Sequence, residues 1–330
     1  MTYDQIAASL GISKTTVSRA ISGKGRVSDS TREKVMDFIS RDTEEIHVIS
    51  SRIKKDNNIA VIVPSDSVAT NSPFFHEAVF GVSEAATEMG FHTMVSISSR
   101  YDSSEIKQLI HEKIISGVVL LRSVKNDKIL HSLAREGFPT GMIGTCDYKE
   151  IIQVDTDAYS ASKEMTSFLI SRGYKKFAVV LGDMEYVVNE KRALGFMEAL
   201  HVAKISTEKQ HYIRNFSTLE PIRNTALDLL SNKVECVVCG DDVICTRLMS
   251  GLQAEGYHIP KDIAIASLYN STNLECFSPS VTAVNFSARE MGRLVANNLI
   301  NKIKGEKYVS LNLLNHELIL RKSVGYLERK

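Results

Sequence analysis

The stretch IAASLGISKTTVSRAISGKGRVSDSTREKV, residues 6–35, predicts three short helices in one very small domain. Apolar residues recur at helical spacing in residues 3–10, and Gly11 follows at a turn. Ser13 is a good N-cap for a second helix, which the glycines of the GKG segment end. Ser28 caps a third helix. The beginning of the chain is therefore a compact helical headpiece.

The charge of this headpiece differs from that of the whole chain. The first 41 residues carry seven Lys or Arg and four Asp or Glu, whereas all 330 residues carry 40 and 39. The balanced total excludes a globally basic nucleic-acid-binding protein. The local excess of three positive charges nevertheless has the sign required for contact with phosphates.

The rest of the chain alternates strand-like and helical segments. Residues 42–58 are mostly polar and charged and are predicted to be a linker. Beyond it, runs such as IAVIV (59–63), GVVLL (117–121) and FAVVLG (177–182) alternate with amphipathic helices. This order predicts parallel sheets with right-handed crossovers. Because about ten strands exceed one comfortable sheet, we expect an all-α headpiece plus an α/β core of two doubly wound parallel-sheet subdomains.

Composition limits the compartment and the chemistry. No run approaches the ~18 apolar residues of a membrane helix, and the N-terminus has no signal-peptide pattern, so we expect a cytoplasmic protein without a membrane partner. Five cysteines, an odd number, predict free thiols. Cys236 and Cys239 have the spacing of a zinc or redox pair, but they lie in a strand-like run and no second pair follows. We expect them to be structural, and no metal or cofactor is predicted.

Catalytic motifs are missing from the sequence. It contains no GxSxG, no GxxxxGK[ST], no HExxH and no GxGxxG after a strand. An enzyme on an α/β scaffold is therefore disfavoured, and we expect a binding protein.

The headpiece resembles the N-terminus of lactose-repressor (LacI/GalR) family regulators. The matching segments are Ile6-Ala7, GIS (11–13), TVSR (16–19), and Val27-Ser28 followed by TREKV (31–35). The resemblance implies a helix-turn-helix whose second helix enters the major groove of double-stranded DNA, and a homodimer on a pseudo-palindromic operator. The alternative is a small helical bundle without a DNA role, but the crowded polar residues of the second helix favour the former.

Candidate DNA contacts follow from this resemblance. Lys14 and Thr15 open the second helix and are candidates for contacting base edges, and Arg19 has the reach for guanine or a phosphate. Side chains suited to phosphate or positioning contacts are Tyr3, Ser13, Thr16, Ser18 and Ser28. Ser22 is a further candidate, although the family often has Asn there.

The linker departs from the family pattern. Relatives carry Tyr-x-Pro-Asn and then Ala-x-x-Leu on a hinge helix whose leucine enters the minor groove, whereas residues 44–58 are EEIHVISSRIKKDNN. His47 takes the place of the Asn, and residues 50–53 that of Ala-x-x-Leu, which makes Ile53 the candidate minor-groove wedge. The alternative is a plain flexible tether.

The resemblance continues along nearly the whole chain. The matching segments are SPFF (72–75), RGY (172–174), EKRALGF (190–196), GDD (240–242), SPSVTAV (278–284) and LILRKS (318–323). It implies a core of the periplasmic-binding-protein type I kind. The predicted domains are a helix-turn-helix domain over 1–41, a hinge over 42–58, and an effector-binding and dimerisation core over 59–330, with subdomains of about 59–155 plus 285–314 and about 156–284 plus 315–330.

A sugar site in this core needs aromatic faces and groups that hydrogen-bond hydroxyls. Candidate stacking residues are Phe74, Phe75 and Phe216, and the fork of Arg192 suits two hydroxyls. The remaining candidates, which carry carboxylates or an amide, are Asp157, Asp241, Asp242 and Asn285. One phenylalanine of the pair is expected to be a core residue, and Asp242 is as well explained as a helix N-terminal acid.

The effector is suggested by a branch of the family. SLYNS (267–271), VDTDAY (154–159) and GDMEYVVNEKR (182–192) resemble the maltose-operon repressors, and Tyr269 takes the place of an effector-binding acid. We therefore expect a carbohydrate-operon repressor that maltose, a maltodextrin or a related α-glucoside releases from DNA. The chain ends soon after LILRKS, so a dimer without a tetramerisation helix is expected. Two alternatives stay open: a transport-type sugar-binding protein, which the headpiece argues against, and a non-sugar effector such as a purine.

Overall fold

The computed structural model describes residues 3–22, 27–28, 30–38, 57–65, 72–98, 104–216 and 221–326. The chain divides into two compact units, Met1–Asn57 and Asn58–Lys330. Linker residues 42–56, with the candidate wedge Ile53, lie outside the described residues, as does the side chain of Ser22.

In the described part of the smaller unit there are three helices, α1 (Tyr3–Leu10), α2 (Lys14–Ser22) and α3 (residues 30–38). Gly11, between α1 and α2, has a φ of 64°, a left-handed conformation that costs glycine little. A buried apolar cluster holds the three helices together, and it consists of Ile6, Ala7, Val17, Ala20 and Val35. The predicted helical headpiece is therefore present.

The larger unit alternates strands and helices. Its strands are β1 (Asn58–Pro64), β2 (His92–Ser98), β3 (Gly117–Leu120), β4 (Thr140–Ile143), β5 (Ile152–Thr156), β6 (Phe177–Val180), β7 (His211–Ile213), β8 (Cys236–Cys239), β9 (Ala264–Ser267), β10 (Thr282–Asn285), β11 (Leu311–Leu314) and β12 (Glu317–Ile319). Its helices are α4 (Pro73–Glu88), α5 (Ser104–His111), α6 (Lys128–Arg135), α7 (Ala158–Ser171), α8 (Val187–Val202), α9 (Ile222–Ser231), α10 (Asp242–Ala254), α11 (Thr272–Cys276) and α12 (Ala288–Lys304).

These strands form two six-stranded sheets, which confirms the predicted fold class. The N-sheet has the order β11-β5-β4-β3-β1-β2 and the C-sheet the order β12-β10-β9-β8-β6-β7. We call the N-sheet with α4, α5, α6 and α12 the N-subdomain, and the C-sheet with α7 to α11 the C-subdomain. One pair departs from the expected parallel arrangement: β12 lies antiparallel to β10, at the edge of the C-sheet.

The chain passes between the sheets after β5, after β10 and between β11 and β12. Phe286, just after β10, packs against buried clusters of both subdomains. Because consecutive β–α units of a parallel sheet bring the carboxyl ends of the strands to one edge, loops of both sheets meet in a cleft.

Close helix packing stiffens each subdomain. An added Cβ at Gly195 of α8 would lie 2.1 Å from the carbonyl oxygen of Tyr159 in α7, and one at Gly292 of α12 would lie 2.2 Å from that of Ala78 in α4. No helix among the described residues combines the length and the apolar character of a membrane span.

Candidate functional site

The second helix of the headpiece separates polar from apolar side chains. Val17 and Ala20 are buried, whereas Lys14, Thr15 and Arg19 are exposed. The three candidates for base or phosphate contact therefore lie on the surface of the headpiece, as contact with a major groove would require.

The other headpiece candidates have local partners or partial exposure. Ser13 Oγ accepts a hydrogen bond from the Thr16 amide at 3.1 Å and lies 2.9 Å from Thr16 Oγ1. Ser28 Oγ accepts from the Thr31 amide at 3.2 Å. These hydroxyls cap α2 and α3, which orients the helix ends. Tyr3 is exposed and Ser18 is half-buried.

We predict that Arg19→Ala weakens binding to an operator selected from random DNA by ~1–3 kcal/mol, because an exposed guanidinium reaches a guanine or phosphate. Fluorescence anisotropy at fixed salt measures the change. Lys34→Ala, which removes an exposed charge of α3, is the matched control and is expected to cost less. Equal losses in the two variants would show that Arg19 supplies charge alone.

In the larger unit, a cavity of about 630 Å³ lies at the carboxyl ends of the strands of both sheets. Its volume is in the range of small-molecule sites. Loops after strands of the N-sheet contribute Leu121 to Ser123 and Gly144 to Thr145, and loops after strands of the C-sheet contribute Gly182 to Tyr186 and Asp241. A ligand here contacts both subdomains at once.

Four aromatic rings form one wall of this cavity. Phe74 contacts Phe75 and Tyr269 edge-on, with ring centroids 5.2 and 5.6 Å apart. Tyr269 and Phe286 lie 5.3 Å apart. Burial raises the pKa of the Tyr269 hydroxyl, which therefore stays protonated. Such a wall offers apolar faces to the C–H surface of a sugar ring.

Arg192 of α8 lines the cavity with a buried guanidinium. Among the described residues, the guanidinium makes one hydrogen bond, from Nη1 to Asn189 Oδ1 at 3.3 Å. Burial lowers the pKa of Arg192, an effect that Asp241, Asp155 and Asp242 oppose. Guanidinium nitrogens not engaged in this bond can donate to ligand hydroxyls.

Several contacts join the two subdomains beside the cavity. Lys191 Nζ, on α8, donates to Thr145 Oγ1 at 2.7 Å and to Asp155 Oδ2 at 2.9 Å in the N-subdomain. The backbones of Val124 and Tyr186 pair as an antiparallel bridge. We call these contacts the cross-cleft latch. The sequence pattern does not predict this latch, although Lys191 and Asp155 lie in segments that carry the resemblance.

The structure brings six predicted effector residues together at the cavity: Phe74, Phe75, Arg192, Phe216, Asp241 and Tyr269. Both phenylalanines of the 74–75 pair line it and also pack against the core of the N-subdomain. Asp241 has a second task, since its Oδ1 accepts from the Ile244 amide at 2.8 Å and caps α10.

Three predicted effector residues lie outside the lining. Asp157 caps α7, and its hydrogen bonds from Ser160 lower the pKa of Asp157. Asn285 bonds to Asn270 at 3.0 Å and to Glu317 at 2.8 Å. Asp242 is buried at the first turn of α10. Polar lining residues that the sequence pattern does not predict include Arg122, Asp155, Asp183, Asn189 and Asn215. Their common signal is a position near the end of a strand or the start of a helix.

Asp242 gives a pH-dependent prediction. Burial raises the pKa of this carboxyl to about 6. Neither oxygen of the carboxyl has a hydrogen-bond partner among the described residues. A carboxyl with a raised folded-state pKa stabilises most below its unfolded pKa, and this contribution is lost as the pH rises through about 6. Asp242→Asn should therefore increase the free energy of unfolding at pH 7.5 by up to about 3 kcal/mol, and by less at pH 4.5. Urea unfolding at the two pH values measures the free energy of unfolding of the variant and the wild type. Equal increases at pH 7.5 and pH 4.5 would contradict the raised pKa of Asp242.

Cysteine chemistry does not contribute to the cavity. The five cysteines are free thiols, and Cys236, Cys239 and Cys245 are buried. Burial raises the pKa of the Cys236 and Cys239 thiols. Among the described residues, no group of histidine, cysteine and acidic side chains is arranged to hold a metal ion.

Comparisons with known proteins match both units. The model of bacterial regulatory proteins of the lacI family matches residues 2–41, and that of the periplasmic binding protein-like domain matches residues 166–324. The HTH-type transcriptional regulator MalR of Staphylococcus xylosus is 29% identical over 99% of each chain. The HTH-type transcriptional regulator DegA of Bacillus subtilis is 27% identical over 98% of each chain.

A solved structure extends the match to three dimensions. The complex of the transcriptional regulator CelR with cellobiose has a TM-score of 0.72 and 26% identity, and it covers 98% of this chain and 99% of that one. The headpiece match, the core match and the end-to-end similarity to named regulators agree with the resemblance found in the sequence. The chain therefore carries a helix-turn-helix domain of the lacI family of bacterial regulatory proteins, followed by a periplasmic-binding-protein-like domain.

Proposed function

We propose that this protein is a sequence-specific DNA-binding repressor of a carbohydrate-utilisation operon, which a sugar effector releases from its operator. The observation that carries the proposal is the combination, in one chain, of an exposed helix-turn-helix surface with a cavity bounded by an aromatic wall and Arg192. The relatives reported above are named as transcriptional regulators. The operator is a pseudo-palindrome bound by a homodimer, as half-site geometry requires.

The proposed effector is maltose or a related α-glucoside. Tyr269, Phe74 and Phe286 offer rings for stacking on a glucosyl ring. Arg192 is placed to donate to vicinal hydroxyls. One relative is named MalR, and the structure of another, CelR, contains cellobiose, a disaccharide of glucose.

We propose that the cavity and the DNA-binding surface are coupled because the cleft closes to a different extent when sugar or operator is bound. A ligand that contacts Arg192 and the aromatic wall binds both subdomains, so it favours the closed arrangement with the cross-cleft latch formed. If the operator favours a different arrangement, sugar and DNA weaken each other's binding by the same factor. The segment around Ile53 is the proposed minor-groove hinge that transmits the change.

A thermal-shift screen of the purified protein tests the ligand class. Maltose and related α-glucosides are expected to raise the melting temperature in a concentration-dependent way, because a ligand that binds the folded state stabilises it. Stabilisation by purines or nucleosides, with no response to any sugar, would overturn the proposed function.

A further inference from the structure

Arg122 is an arginine of the cavity whose guanidinium forms no ion pair with any described residue. It follows β3 in the N-subdomain, lines the cavity and is 7% exposed. Its Nη2 is shielded from solvent and has no hydrogen-bond partner, and none of its atoms forms an ion pair with another described residue. Burial of a guanidinium without a partner is costly, and the cavity that Arg122 lines is where a ligand would supply that partner.

Other cations at the cleft are already compensated. Lys191 pairs with Asp155 at 2.9 Å, and Lys125 pairs with Glu190 at 3.0 Å. Arg192 bonds to Asn189 and feels three nearby carboxylates. Arg122 differs from these three cations because it lacks such a partner. A general excess of charge at the cleft therefore does not explain its unpaired guanidinium.

The beginning of α8 lies next to Arg122 and adds positive potential. The Val187 amide donates to the carbonyl oxygen of Ser123, the residue after Arg122, at 3.1 Å. Tyr186 is the N-cap of this 16-residue helix. Val187, Val188 and Asn189 of the first turn line the cavity. A helix N-terminus attracts an anion, and the acidic residue of this first turn, Glu190, is already paired with Lys125.

We infer that the effector carries an oxyanion, a carboxylate or a phosphate attached to the glucoside, and that Arg122 binds it from the N-subdomain. The inference rests on the proposed function and narrows its ligand class. A planar guanidinium donates two parallel hydrogen bonds to an oxyanion and neutralises its charge, whereas a neutral hydroxyl pair leaves the charge of Arg122 uncompensated. Arg192 then holds hydroxyls from the C-subdomain, so the ligand bridges the cleft.

Isothermal titration of the full-length protein with three probes tests this inference. The probes are maltose, maltose 6′-phosphate and maltobionate, which share a glucosyl ring and differ in having no anion, a phosphate or a carboxylate. At least one anionic probe is expected to bind tenfold or more tightly than maltose. Arg122→Gln should abolish that preference, and Arg135→Gln, at an exposed position of α6, should leave it unchanged.

Circular dichroism and operator binding without ligand check that Arg122→Gln is folded. If it is not folded, Arg122→Lys is tested instead, because lysine keeps the positive charge but lacks the forked guanidinium. This variant should bind the anionic probe about tenfold more weakly, with a smaller loss for maltose. Maltose binding as tightly as both anionic probes, or an anion preference unchanged in the Arg122 variants, would overturn the inference and leave a neutral-sugar regulator standing. If none of the three probes changes operator affinity, the proposed function is wrong, whether or not the protein prefers an anionic probe.

Discussion

Replacing Arg192 with alanine should abolish the response of operator binding to sugar and leave sugar-free operator affinity within about twofold. The guanidinium is buried at the cavity, so its loss removes charge-assisted donors from the proposed sugar site. We expect the sugar dissociation constant to rise about a hundredfold, or roughly 3 kcal/mol.

Calorimetry with sugar and anisotropy with operator measure the two quantities. Arg223→Ala is the matched control, since this arginine of α9 is exposed and pairs with Glu255 on the surface. Its sugar response should equal that of the wild type. If the Arg192→Ala protein still releases operator at the sugar concentrations that release the wild type, Arg192 is not an effector-binding residue.

The second large effect is structural. Gly195→Ala should lower the free energy of unfolding by on the order of 3 kcal/mol, because the new Cβ would lie 2.1 Å from the carbonyl oxygen of Tyr159. Backbone atoms cannot rotate away, so α7 and α8 must separate. Urea unfolding followed by circular dichroism measures the loss.

Gly325→Ala is the control for this change. Its added Cβ would lie 3.7 Å from Pro260 Cγ, an ordinary van der Waals distance, and the expected change is within about 0.5 kcal/mol. A Gly195→Ala protein as stable as the control would show that α7 and α8 do not pack in the close arrangement described above.

The headpiece was predictable because its signals are local. Gly11 ends one helix, Ser13 and Ser28 cap the next two, and the buried positions follow helical periodicity. Each signal acts within a few residues, so tertiary contacts are not needed to interpret it.

β5 was not predicted, for a physical reason. Its residues Gln153 and Asp155 are polar yet buried. Gln153 accepts from the Cys146 amide at 2.9 Å, and Asp155 pairs with Lys191 from the other subdomain. Their partners lie elsewhere in the sequence, so hydrophobic periodicity cannot identify this strand.

The cavity was partly predictable. Arg192 and Tyr269 lie in segments that carry the family resemblance, and both line it. Asp157 follows a strand, as the lining residue Asp241 does, but Asp157 lies outside the lining and its carboxylate caps α7. Arg122 follows a fully apolar strand, and its missing partner is visible only once the neighbouring elements are assembled.

The central claim, that sugar and operator weaken each other's binding, is tested most directly by titrating operator at fixed salt with and without a saturating glucoside. Maltose and its anionic derivatives are the ligands to use. We expect at least one of them to lower operator affinity tenfold or more, and operator to lower the affinity for that ligand by the same factor. Operator affinity unchanged at saturating concentrations of a ligand that calorimetry shows to be bound would contradict it.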